Sequence, residues 1–390
     1  MRIAQVSPLY ESVPPKFYGG TERIVHYLTE ELVRQGHEVT LFASGDSRSS
    51  ARLVSGCDRA LRLEKVADPF ALHILMAEKV LQRSLEFDVI HSHVDYLAFP
   101  VVRRRSPVPV LTTLHGRLDL PEHIPLFREY AEMPLISISD SQREPIPWAN
   151  WYGTVHHGLP RDLYRHRPRA PGRYLAFLGR ICPEKGVEAA ISIATRAGLP
   201  LRIAAKVDPA DTVYFHTRIE PLLSHPLLEF IGEIGESEKQ DFLSGALALL
   251  FPIDWPEPFG LVMIEAMACG TPIIALRRGS VPELMRNGVT GFVVDNEDEA
   301  LAALSALDSV GRDGCRRYFE KRFTVERMAR EYLAIYKRAA AQGAPGISAA
   351  KGRAYGRRDQ GRGQVLYNGH FVPGRKAKPG PETRRNLRRL

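Results

Sequence analysis

The stretch WPEPFGLVMIEAMACGTP, residues 255–272, holds Glu257 and Glu265 with only apolar residues, proline and glycine between them. A carboxylate in such a run is costly to bury without partners, so each acid needs a task. Pro256 and Pro258 keep the first part out of a helix, and Gly260 opens one. Glu257 therefore reads as a loop residue and Glu265 as a residue of the helix's second turn. The surrounding LVMIEAMAC is apolar on all sides and must be buried. Glu265 fits either of two readings: a structural acid bonded to backbone or arginine, or an acceptor for a vicinal diol, as acids serve ribose. Glu257, beside the first-turn N–H groups of Phe259, Gly260 and Leu261, is placed to hold sugar hydroxyls.

FLGRICPEKG, residues 177–186, sets Arg180 and Lys185 around a loop closed by Gly186. An arginine fork and a lysine point charge can together neutralise a diphosphate, although two solvated surface charges would look the same in sequence. FYGGTER, residues 17–23, places Gly19 and Gly20 before an earlier helix. There the backbone can approach a phosphate and the helix start offers free N–H groups; the plain alternative is a glycine turn without a ligand. Neither GxGxxG nor GxxxxGK[ST] occurs, which removes support from nicotinamide binding and ATP hydrolysis. His115, in TTLHGRLD, ends a strand before a glycine and is a candidate for a substrate hydroxyl. The pairs His91/His93 and His156/His157 lack a third partner of ligand type, so no metal site is read.

These residues need strand ends and helix starts to hold them. RIAQVS (2–7), EVTLFA (38–43), DVIHS (88–92), PVLTTLH (109–115) and LISIS (135–139) read as buried parallel strands. The first helix has Thr21 as its cap, Glu22 in its first turn, a stripe of Ile24, Val25, Leu28 and Leu32, and Gly36 at its end. Residues 158–172 lack periodicity and read as a linker. The pattern then restarts, with strands at 173–179, 201–207, 228–232, 246–252, 271–276 and 291–294 and helices at 186–197, 236–245 and about 260–269. Two doubly wound sheets in succession imply a cleft to which both offer the loops at their strands' carboxyl ends. A last helix over 324–341 has Thr324 as its cap and Met328, Tyr332, Ile335 and Tyr336 as its stripe.

Bulk properties fit this plan. The chain has 390 residues, long for one core, with 44% hydrophobic and 25% charged residues. Its net charge of +8 is concentrated: residues 341–390 carry 12 Lys/Arg against 2 Asp/Glu, leaving 41 against 43 before them. That Gly-, Pro- and Arg-rich end reads as disordered. Cys57, Cys182, Cys269 and Cys315 show no paired spacing and read as free thiols of a reducing compartment. No signal-like or membrane-spanning run is present in the sequence. The expected location is cytoplasmic, with peripheral contact at the inner face of the membrane as an option.

GGTER at the first helix, GRICPEKG opening the second half, the acids of EPFGLVMIEAMACGTPIIA and the following NGVTGFVV resemble the retaining glycosyltransferases of family four. The likeness spans roughly residues 1–340. It implies a GT-B fold: an α/β architecture of two Rossmann-like domains facing a central cleft, followed by the disordered basic tail. The expected divisions are 1–160 on the acceptor side, 161–323 on the nucleotide-sugar side, a crossing helix 324–341 and a tail 342–390. It further implies a nucleotide-diphosphate-sugar donor, no cofactor and no metal, and a sugar, polysaccharide or lipid-linked acceptor. On this likeness Arg180 and Lys185 bind the diphosphate, Glu257 the donor sugar, Glu265 the ribose, Gly19 and Gly20 the distal phosphate, and His115 sits by the transferred sugar. His157–Gly158 stands where the family often has Asn-Gly. A GT-B-like epimerase or phosphorylase, or a non-catalytic protein working through its basic tail, are the alternatives; for nucleic acid the tail's aromatic residues are too sparse.

Overall fold

The computed structural model describes residues 1–343 apart from 17, 18, 65 and 170–172; the expected tail lies outside the described residues beyond Gly343. Its frame is two all-parallel sheets. The first is built from β1 (Arg2–Val6), β2 (Glu38–Ser44), β3 (Arg52–Cys57), β4 (Val89–Ser92), β5 (Val110–Thr113), β6 (Leu135–Ser137) and β7 (Trp151–Thr154), in the order 3-2-1-4-5-6-7. The second comprises β8 (Leu175–Arg180), β9 (Leu201–Lys206), β10 (Leu228–Gly232), β11 (Ala248–Phe251), β12 (Ile273–Leu276) and β13 (Gly291–Val294), in the order 10-9-8-11-12-13. Each order reverses direction once, between β1 and β4 and between β8 and β11. A crevice opens at such a reversal, outside the carboxyl ends of the strands.

The helices that matter to the site are α1 (Gly20–Arg34), α2 (Pro69–Gln82), α3 (Val187–Ala197), α4 (Glu236–Gly245), α5 (Leu261–Cys269) and α6 (Val325–Gln342). In α1 the apolar stripe Ile24, Val25, Leu28 and Leu32 is fully buried. Its start differs from expectation. Gly19 takes the cap position and Gly20 is already helical, so Thr21 lies inside the first turn and makes no capping bond. The Gly19 carbonyl accepts the first helical bond, from Arg23 N at 3.1 Å. The edge strands β3 and β7 and the helix α2 were not evident in the sequence. Both edges are partly exposed and show no clean alternation. Among the described residues no helix is long and apolar enough to cross a membrane.

Helix α6 starts with Thr324, whose hydroxyl accepts from Arg327 N at 3.4 Å, and it lies against the first sheet. Met328, Tyr332, Ile335 and Tyr336 all face inward. Tyr332 Oη meets Thr113 Oγ1 at 3.1 Å, and Tyr336 Oη lies 2.6 Å from His91 Nδ1 and 3.1 Å from Gln5 Nε2. The segment after β7 is anchored to this helix, with Leu159 bridged to Thr324. One hydrophobic cluster includes Ile24 and Val155 from the first half, Phe259 and Ile264 from the second, and Tyr332 from α6, so packing is continuous across the halves. Tyr336→Phe would strip His91 Nδ1 and Gln5 Nε2 of a buried partner. We expect a loss of about 1–3 kcal/mol in urea unfolding with the fold retained; an unchanged midpoint would remove this contact from the account.

Candidate functional site

The carboxyl ends of both sheets meet at a cleft of about 480 Å³. Its walls include Gly19, Gly20, His115, Arg180, Lys185 and Glu257, and also Phe259, Gly260, Leu261 and Glu265. Every candidate residue read from the sequence therefore lies in one cleft.

The second half supplies cations from two adjacent strand ends. Arg180 closes β8 and Lys206 closes β9, opposite each other in register. Lys185 follows in a short turn ended by Gly186 at φ 71. A Cβ on Gly186 would come within 1.9 Å of Pro252 O, so glycine is required for this turn to pack against the loop after β11. That packing brings Lys185 to Glu257. Lys185 Nζ forms an ion pair with Glu257, Trp255 Nε1 donates to the same carboxylate oxygen at 3.0 Å, and the ammonium lies 5.1 Å from the Trp255 ring centre. Glu257 is thus held by Lys185 and Trp255. Arg180 faces Asp211 at 3.4 Å and Asp208 at 3.7 Å, while Lys206 Nζ is 2.9 Å from Asp208. Asp208, Asp211 and Glu257 stand against these three cations, so the patch is a set of ion pairs rather than a bare positive surface.

Glu265 is 2% exposed, and its partner comes from the other half. Arg23, in the first turns of α1, forms an ion pair with Glu265 Oε1 and reaches Glu236 at 2.9 Å. Lys239 Nζ lies 3.4 Å from the same Oε1. Burial alone would push the Glu265 carboxyl up, but Arg23 and Lys239 outweigh it and hold it down at about 2. The structural reading of this acid, an arginine partner, is realised; its place in the cleft leaves the diol reading open as well.

Three histidines share the first half's wall. His93 Nε2 lies 2.9 Å from Gln5 Oε1, and His93 Nδ1 lies 2.9 Å from His115 Nε2. Gln5 can only accept through its oxygen, so His93 carries its proton on Nε2 and His115 donates to it from Nε2. His115 Nδ1 remains as an acceptor. Burial pushes His115 down to about 3 and holds His93 and His157 well below the usual imidazole range, so these three rings are neutral. The His157 ring is stacked on His115 at 5.3 Å.

Several cleft residues escaped sequence reasoning: Asp95, Glu22, Arg23, Lys206, Lys239 and His157 as a stacking partner. Asp95 sits just past β4 with φ 49, a left-handed conformation that a non-glycine residue rarely adopts and that concentrates at functional sites. Burial raises its carboxyl to about 6, partly offset by a backbone hydrogen bond from His115. The signal available was its place at a strand's carboxyl end in HSHVD.

Glu22 is 5% exposed, and burial lifts it to about 7. A folded-state value above the ordinary 4.5 means the folded protein holds a proton that the unfolded chain releases. Its contribution is therefore fully present below pH 4.5 and is lost as pH rises to about 7. Glu22→Gln is expected to flatten the decline in unfolding free energy across that window, worth up to about 3 kcal/mol; an unchanged pH profile would show Glu22 ionised. Arg23→Ala leaves Glu265 buried against Lys239 alone and should cost about 3–5 kcal/mol in chemical unfolding, whereas a loss below about 1 kcal/mol would mean the pair is solvated.

Comparison with known proteins agrees with this architecture. Residues 164–321 match the family of glycosyl transferases group 1, and residues 18–143 match glycosyltransferase family 4. Glycogen synthase of Mycobacterium tuberculosis is 27% identical over 365 residues, covering 79% of this chain and 86% of that protein. The D-inositol 3-phosphate glycosyltransferase of Mycolicibacterium smegmatis is 26% identical over 350 residues, covering 72% and 76%. Among solved structures, sucrose-phosphate synthase from Thermosynechococcus elongatus superposes with a TM-score of 0.74 at 19% identity, covering 88% of this chain and 100% of that one. Anabaena HepE, solved in complex with UDP-glucose, superposes with a TM-score of 0.63 at 19% identity, covering 86% and 99%. Matched in both halves and sharing the two-sheet architecture of these structures, the chain belongs to the glycosyltransferases of family four and carries their GT-B fold.

Proposed function

We propose that the cleft transfers a sugar from a nucleotide-diphosphate donor to a hydroxyl acceptor, with retention of anomeric configuration and without a metal ion. The observation that carries this reading is the convergence of Arg180, Lys185 and Lys206 on one side of the cleft with the Gly19–Gly20 start of α1 on the other. Breaking the anomeric C–O bond builds negative charge on the departing diphosphate. Preorganised cations and helix N–H groups stabilise that charge where it develops. The complex of Anabaena HepE with UDP-glucose supports a nucleotide-sugar donor here.

Placement in the cleft supports a reading of the remaining roles. Both Arg23 and Lys239 bind Glu265 through Oε1, so the ribose hydroxyls are assigned to Oε2. Lys185 turns from Glu257 to the phosphate, and Glu257 then accepts from a hydroxyl of the donor sugar. His115 Nδ1 accepts from the sugar on the opposite wall. Glu257, held by Lys185 and Trp255, serves as a binding group rather than a nucleophile. The acceptor instead attacks on the face the diphosphate leaves, and the leaving phosphate takes its proton. Neutral His93, His115 and His157 add no positive charge near the developing oxocarbenium.

Thermal-shift measurements with UDP-glucose, GDP-mannose and ADP-glucose should give a clear rise with at least one donor. At 100 times the dissociation constant, ligand binding adds about 2.7 kcal/mol. Combining Arg180→Ala with Lys185→Ala should lower turnover of that donor by at least about 100-fold, as the loss of a charge-stabilising donor does elsewhere. Turnover within threefold of the parent protein would refute the diphosphate assignment.

A further inference from the structure

Trp255, in the loop between β11 and α5, meets charged groups from both halves of the chain. From the second half, Lys185 Nζ lies 5.1 Å from the centre of its ring. From the first half, the guanidinium carbon of Arg117 lies 5.4 Å from the same ring. Both separations fall within the ~6 Å over which a cation is attracted to an aromatic face. The indole also has a polar task, because its Nε1 donates to Glu257 Oε2 at 3.0 Å. Lys185 pairs with that same oxygen, which leaves Oε1 for a donor sugar.

The backbone fixes where the ring stands. Glu257 N donates to Trp255 O at 2.8 Å, Ser280 N to Glu257 O at 3.0 Å, and Asp254 N to Glu184 O at 2.9 Å. The last of these bonds joins this loop to the turn that carries Lys185. Gly279 packs against the same loop at φ 49, where a Cβ would come within 2.4 Å of Glu257 N. Arg117 belongs to the loop that leaves β5 through His115. The base of that loop is held by Gln142, whose Nε2 donates to Leu114 O at 2.9 Å and to Gly116 O at 2.8 Å. Asp119 orients the Arg117 fork through bonds of 2.7 and 2.8 Å, and Glu184 stands 3.9 Å from it. An arginine and an indole thus attach the loop that presents His115 to the loop that presents Glu257.

We propose that Trp255 is a positioning residue of the transfer reaction: its N–H keeps Glu257 turned toward the donor sugar, and its ring holds Arg117, and with it the His115 loop, against the donor side. This inference rests on the transferase reading of the cleft. It supplies what that reading needs when Lys185 turns from Glu257 to the diphosphate, since the indole N–H is then the bond that keeps the carboxylate in place. Arg117 and Trp255 act through one shared contact, so the effects of losing them should not add.

The test is titration calorimetry on the full chain, with UDP-glucose, GDP-mannose and ADP-glucose set against UDP, GDP and ADP. The ratio of the two dissociation constants for one base reads the contacts made to the sugar. Trp255→Phe keeps a ring for both cations and removes the N–H. It should weaken the nucleotide sugar that binds by at least about fivefold, as the loss of a hydrogen bond to a charged group does. The matching nucleoside diphosphate should stay within about twofold, because its contacts lie on other residues; that unchanged binding also shows the fold to be intact. Arg117→Met should weaken the nucleotide sugar by about threefold, as a lost cation on an aromatic face does, and should add nothing in a Trp255→Leu background. Equal weakening of sugar-bearing and sugar-free ligands overturns the proposal and leaves the indole a role in folding alone. Unchanged binding in Trp255→Phe overturns it too, as does an Arg117→Met effect that multiplies with that of Trp255→Leu. A parent protein that binds none of the three nucleotide sugars removes the transferase reading, and the proposal with it.

Discussion

A carboxylate placed in the most apolar helix of the second half needs a cation, and the first half provides it. Glu265 stays ionised inside α5 because Arg23 of α1 reaches across the cleft, with Lys239 of α4 beside it. Removing either charge leaves the other stranded in a low-dielectric interior, a penalty of several kcal/mol. The pair therefore fixes how the start of α1 stands against the start of α5. Those two helix starts carry the amides of Gly20 and Leu261, which line the same cleft. One ion pair thus sets the spacing of the site's two walls as well as a local charge.

The electrostatics of the walls differ in kind. The second half is ionic, with Arg180, Lys185 and Lys206 each set against an acid. On the first half the imidazoles are neutral, with the His93 tautomer set by Gln5, and they stand beside the charged Arg23 and the carboxyl of Asp95. Helix α6 supplies Tyr336 from the C-terminal side of the second half, so the histidine wall depends on a helix that crosses back. The proposed function assigns the diphosphate to the ionic wall and a sugar hydroxyl to the histidine wall. A separate apolar cavity lies behind His73, which lines both this space and the cleft.

Much of this was legible in sequence because it is local. Strand cores, the α1 stripe and the turn glycines are set by period and residue type over a few positions. The loop-to-helix step from Glu257 to Glu265 was equally visible, since prolines and Gly260 punctuate it. What was hidden is non-local. No spacing in the chain links Arg23 to Glu265, which are 242 residues apart, or His93 to His115 across two strands. The start of α1 was misread because Thr21 is a good capping type, while the actual cap position fell to a glycine whose carbonyl alone is used. Helix α2 was missed because its outward face carries Phe70, Ile74 and Leu75, which blurs the amphipathic pattern that reveals surface helices.

The central claim is that one nucleotide-sugar donor spans the cleft, with its diphosphate on Arg180 and Lys185 and its ribose on Glu265. A crystal structure with the tightest-binding nucleoside diphosphate tests it most directly. The account predicts phosphate oxygens within hydrogen-bond reach of Arg180 and Lys185, Lys185 released from Glu257, and both ribose hydroxyls at Glu265 Oε2 with Arg23 still on Oε1. A diphosphate bound away from Arg180 and Lys185, or a ribose that leaves Glu265 to Arg23 and Lys239 alone, would contradict it.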